Sequence, residues 1–117
     1  MDVVNRIKLA QYHNARLVRM KRCAATVDTC GHRKAFEQLA ESAREARDHQ
    51  MQMVRVETGR RKVFLYQIES LDFEGRHYGD FEGIDELDAG QGFEQHCESV
   101  GMDPGIYRVS VIRRVRL

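Results

Sequence analysis

A change of hydrophobic period near residue 50 constrains the fold of this 117-residue chain more than any other feature. Before that point apolar residues recur at three- and four-residue intervals; after it they tend to alternate. The first period lines one side of a helix and the second lines one face of a strand, so the chain reads as helices followed by sheet.

From Asp2 to about Val27, the residues Val3, Ile7, Ala10, Leu17 and Ala24 keep four-three spacing, widened by Met20 and Val27, and Asp2 stands where a helix is capped. Asn14 and Lys21 interrupt this stripe, which argues against a long coiled coil. Asp28 to Gly31 carries turn chemistry, with Gly31 expected at positive φ behind the first helix and Thr29 as cap of the second. The second helix is expected from about His32 to His49. Phe36, Leu39, Ala40, Ala43 and Ala46 form one face and Glu37, Glu41, Arg44, Glu45 and Asp48 the other, with Arg44 and Asp48 spaced to pair. So short a turn makes the two helices an antiparallel hairpin.

Beyond Gln50, Met51, Met53, Val54 and Val56 precede Glu57-Thr58-Gly59-Arg60, and Val63, Phe64, Leu65, Tyr66 and Ile68 follow. This predicts strands near 51–57 and 61–70 around a Thr-Gly turn, the second inside the sheet because its middle is apolar on both faces. Asp72-Phe73-Glu74-Gly75 is echoed eight residues later by Asp80-Phe81-Glu82-Gly83, with glycines suited to turns and phenylalanines to anchoring. A short third strand falls at 75–79. Asp88-Ala89-Gly90-Gln91 resembles a capping box, followed by Phe93, Cys97 and Val100 at helical spacing and by Gly101 as terminator. Asp103-Pro104-Gly105 is a turn, and 106–117 alternates as a strand until Ile112 and Arg113 break the pattern, as a bulge or an exposed end would. The sum is an α+β fold: an N-terminal antiparallel helical hairpin packed on a small antiparallel sheet, order ααβββαβ with the third strand open. One domain is expected over 1–117, the hairpin within 1–49 and the sheet with one short acidic helix within 50–117.

Net charge is only +1, yet it is unevenly placed. Residues 69–103 hold eleven carboxylates against Arg76 alone, while 1–34 hold eight basic and two acidic side chains. Such segregation bears on partners rather than on fold. With no secretory or membrane-length apolar run and an odd count of three cysteines, the expectation is a cytoplasmic protein with reduced thiols and no membrane partner.

The acidic stretch suits a protein partner with a basic surface. Asp72, Glu74, Asp80, Glu82, Asp85, Glu86 and Asp88 would steer the encounter, with Phe73, Tyr78 and Phe81 as anchors. Its charge density imitates a phosphate backbone. This predicts a small non-enzymatic inhibitor or adaptor of nucleic-acid-handling machinery, of the kind mobile elements and phages encode to blunt host defence. The alternative is direct nucleic-acid binding through Arg16, Arg19, Arg22, Arg114 and Arg116, with Tyr12 available to stack on a base. A third reading is a small metal protein using Cys23, Cys30 and His32, joined by His96 and Cys97, whose spacing is no recognised zinc knuckle, or an enzyme pairing His77 with Asp80 or Glu82, or Cys97 with a histidine. No nucleophile elbow, P-loop or dinucleotide fingerprint occurs, so neither catalytic residues nor a cofactor are expected. A hairpin with an imperfect stripe and a terminal strand at a sheet edge also points to a homodimer.

Overall fold

The computed structural model describes residues 2–59, 64–71 and 77–114, the side chains at 77 and 78 excepted. The fold class is α+β, with two N-terminal helices packed together and an antiparallel three-stranded sheet among the described residues. The chain divides into two compact units, Met1–Glu57 and Thr58–Leu117.

In the first unit α1 spans Val3–Thr26 and α2 spans Cys30–Thr58. Asp2 caps α1 by accepting from the Asn5 amide at 2.8 Å, and Thr29 Oγ1 accepts from the His32 amide at 3.3 Å. Gly31 lies inside the first turn of α2, not at a left-handed terminator, because the cap sits at Thr29 and the helix has already begun. The expected strand at 51–57 is the last two turns of α2. Met51 and Val54 continue the three-four spacing of Ala40, Ala43 and Arg47 and are fully buried. In so short a window either period fits, and a helix already propagating needs a breaker to stop it. That breaker comes at Gly59, with φ 71°.

The hairpin is antiparallel: Leu17 and Met20 pack against Ala40 and Ala43, while Asn14 meets Arg47 and Arg6 meets Gln50 and Glu57. Four of the buried residues of its seam are alanines, Ala10 and Ala24 of α1 and Ala40 and Ala43 of α2, beside Leu17, Met51 and Val54. Arg47 is buried among them at 1% exposure. Its Nη1 donates to Asn14 Oδ1 at 3.0 Å and its Nε to Asp48 Oδ1 at 2.9 Å. The polar interruption at Asn14 is therefore the acceptor for a buried guanidinium.

In the second unit β1 (Phe64–Ser70) lies between β2 (His77–Gly83) and β3 (Tyr107–Arg114), antiparallel to both. β2 occupies the region of the open third strand but runs on to Gly83, so the second Asp-Phe-Glu-Gly segment is strand rather than turn. Tyr66 pairs with Val111 and Leu65 with Arg113, which makes Ile112 the extra residue of a bulge where the alternation breaks. Helix α3 (Glu86–Val100) covers one face, with Ile68, Phe93 and Cys97 at the centre and Phe81, Met102, Tyr107 and Val109 around them. The helix starts three residues earlier than the capping box at Asp88 implied. Asp85 is the N-cap, accepting from the Asp88 amide at 2.9 Å, and Asp88 accepts from the Ile84 amide at 2.8 Å. Gly101, φ 72°, ends it with the Met102 amide bonded to the Cys97 carbonyl. Asp103 Oδ1 accepts from the Gly105 amide, closing the expected turn.

Candidate nucleic-acid and protein interfaces

Helix α1 contains six basic residues and no acid between Val3 and Thr26. Two of the six turn inward or sideways: Arg6 bonds Gln50 and Glu57, and Lys21 is half-buried. Lys8, Tyr12, Ala15, Arg19 and Arg22 recur at four-three-four-three spacing, one straight line on the side of α1 opposite the Ala10–Leu17–Ala24 seam. All five are exposed, Tyr12 at 60%. The line runs about 21 Å from Lys8 to Arg22 at 1.5 Å per residue. Arg16 stands beside it, partly buried near His13. Burial first, and then the Arg16 charge, hold the His13 imidazole below its ordinary 6.5, so the ring favours the neutral form. Arg114 is exposed at the end of β3 in the other unit, and Arg116 lies outside the described residues.

The expected acidic surface is divided by its own fold. Asp85 and Asp88 are spent on the start of α3, Asp88 being buried. Phe81 packs edge-on against Phe93 at 5.7 Å and lies beside His96, so its ring belongs to the core. Asp80 and Glu82 are exposed on β2, an outer strand, and Glu86 is exposed in the first turn of α3. Asp72, Phe73 and Glu74, and the side chains of His77 and Tyr78, lie outside the described residues. Elsewhere in the acidic stretch Glu94 is buried, and Glu69 accepts from Gln67 and from Arg108 on the sheet face away from α3. The carboxylates of Asp85, Glu86 and Asp88 reach as far as the buried Tyr66, whose phenol is pushed above 10.0, chiefly by burial and then by these three charges.

Cys23 is half-buried near the end of α1, Cys30 is exposed at the start of α2 and Cys97 is buried under the sheet. Among the described residues no three His, Cys, Asp or Glu side chains gather as metal ligands, and no helix is long and apolar enough to cross a membrane. No family model, curated protein or solved structure matches the chain.

The outward line on α1 adds Lys8 to the expected nucleic-acid-binding residues Arg16, Arg19 and Arg22 of that helix. Its signal was present: Lys8, Tyr12, Arg19 and Arg22 share a phase that the apolar stripe of the same helix defines by contrast.

Proposed function

We propose that this protein binds nucleic acid without catalysis, laying the outer side of α1 along the phosphate backbone. The observation that carries this reading is the acid-free line of Lys8, Arg19 and Arg22, with Arg16 beside it and the exposed Tyr12 ring between its charges. Phosphate neutralisation releases counterions, so each contact adds about 0.9 to the slope of log affinity against log salt on duplex DNA. Three contacts give a slope of about −3, and Lys8→Gln/Arg19→Gln/Arg22→Gln should abolish most of it. Fluorescence anisotropy with duplex and single-stranded oligonucleotides across a salt series measures this. No binding at low salt, or a slope that survives the triple substitution, would sink the reading.

A second reading is favoured by Asp80 and Glu82, exposed together on an outer strand: an inhibitor or adaptor that takes a basic protein partner, including a nucleic-acid-binding one. Asp80→Lys/Glu82→Lys should then lose a partner captured from nuclease-treated lysate. Capture that the charge reversal leaves intact would remove this reading.

A further inference from the structure

The two long sides of the helical hairpin differ in character. Leu9, His13, Met20 and Val27 share one flank of α1, and Leu39, Ala46 and Met53, seven residues apart, share one flank of α2. The ion pair of Arg6 with Glu57 shows that these flanks lie on the same side. Arg6 is three residues before Leu9 and seven before His13, and Glu57 is four after Met53. The other side is charged: Asp48, which takes the Arg47 guanidinium, lies there with Arg44 and Glu41. On the apolar side the side chains are only partly covered. Leu39 is 51% exposed, and Leu9, Met20, Val27, Ala46 and Met53 are half-buried. The His13 Nδ1 buried there makes no hydrogen bond. Two helices bury one seam between them, and an apolar stripe this wide needs a further layer.

We infer that this side is an interface between two copies of the chain, stacked hairpin on hairpin as an antiparallel four-helix bundle about a two-fold axis parallel to the helices. The charge distribution selects this arrangement. α1 carries six basic residues and no acid, whereas α2 is balanced, with five acidic and five basic residues. Setting α1 over α1 would oppose like charges along the rims, and setting α1 over the second copy's charge-balanced α2 avoids this. About that axis the pattern is self-complementary. Residues whose numbers sum to about 60 lie at one level within the hairpin, as Asn14 with Arg47 and Leu17 with Ala43 do. Met20 therefore meets the second copy's Leu39, His13 its Ala46, and Leu9 its Met53. The side is roughly 36 Å by 20 Å from helix dimensions, about 700 Å² per copy, and the pair reaches the 1,200–2,000 Å² of a stable interface. The line from Lys8 to Arg22 points elsewhere and remains exposed, so the dimer does not depend on nucleic-acid binding.

The test is sedimentation velocity on the full chain over a micromolar concentration series. The expected species has twice the 13.6 kDa chain mass. Met20→Lys and Leu39→Glu each place a charge in the interface twice, and each is expected to weaken the dimer by at least about 100-fold, nearly 3 kcal/mol. Mixing the two variants should restore a dimer, because one junction then pairs Lys with Glu and the other is wild type. That restoration also shows that both variants are folded. A wild-type chain that stays monomeric overturns the inference, and so does a dimer that both substitutions leave intact or a mixture that does not reassociate.

Discussion

Replacing Asn14 by leucine withdraws one acceptor from a guanidinium that is 1% exposed in the seam of the hairpin. A hydrogen bond to a charged group contributes about 1.5–3 kcal/mol when its loss leaves the charge buried. Leucine at a half-buried site regains up to about 1 kcal/mol of that by apolar burial. The net cost is about 1–2 kcal/mol, or roughly 5–15 °C in Tm for a unit of this size. Arg47→Met alone removes the buried charge, and the half-buried Asn14 it leaves can take water, so stability stays within about 1 kcal/mol of wild type. The double variant Asn14→Leu/Arg47→Met is then expected at or above wild-type stability, because exchanging a buried ionic group for apolar volume is neutral or favourable by about 1–4 kcal/mol. Urea unfolding followed by far-UV circular dichroism measures all four proteins, at one fixed concentration because self-association shifts the midpoint. A double variant no more stable than Asn14→Leu would refute the argument, since it would mean that the guanidinium itself stabilises the seam. If the ionic group instead fixes which residues face each other, the double variant gains stability and shows extra amide resonances from alternative registers.

Gly83→Ala would put a Cβ 2.7 Å from the Ala89 nitrogen and 2.8 Å from the Asp85 oxygen, both backbone, at an expected cost of about 1–3 kcal/mol in thermal unfolding. Gly31→Ala meets nothing within 4 Å inside a helix and is expected to raise stability by up to about 1 kcal/mol. If Asp85 is a cap rather than a partner contact, Asp85→Ala loses about 1 kcal/mol while Asp85→Asn keeps most of it, and equal losses in both would contradict that role. Tyr66 ionises in the unfolded chain before it does so in the folded one. Its contribution is therefore complete below pH 10.0 and lost as pH rises through the folded value, and Tyr66→Phe should flatten the alkaline limb of a stability–pH curve. His13 has the opposite sign: its folded value lies below 6.5, so its contribution is present above 6.5 and lost as pH falls, and His13→Phe should flatten the acid limb.

Features encoded within a few neighbouring residues were legible. Asp2 and Thr29 as caps, Gly101 as terminator, the Asp103–Gly105 turn and the bulge at Ile112 each follow from backbone groups that one side chain, or its absence, can satisfy or release. The segment 51–57 was not legible, because Met51 and Met53, and again Val54 and Val56, stand two residues apart as in a strand, while Met51 and Val54 fit a helical period. Packing against α1 made the second count. The start of α3 was misplaced for a related reason: Asp85 and Asp88 are both capping residues by type, and only the position of Ala89 under Gly83 tells which one begins the helix.

The candidate surfaces divide along the same line. By itself the sequence determined that basic residues crowd the first helix and carboxylates crowd 69–103, since formal charge belongs to residue type and needs no fold. Tertiary structure alone decided which charges are displayed. Asp88 turns inward to an amide, Glu69 is taken by Arg108, and Arg6 is drawn to Glu57 from a distant stretch of chain. Lys8, Arg19 and Arg22 are left in a line because the seam faces the other way. A carboxylate or guanidinium is available to a partner only when no group brought to it by folding satisfies it first, and those groups come from residues too far along the chain for any local pattern to reveal.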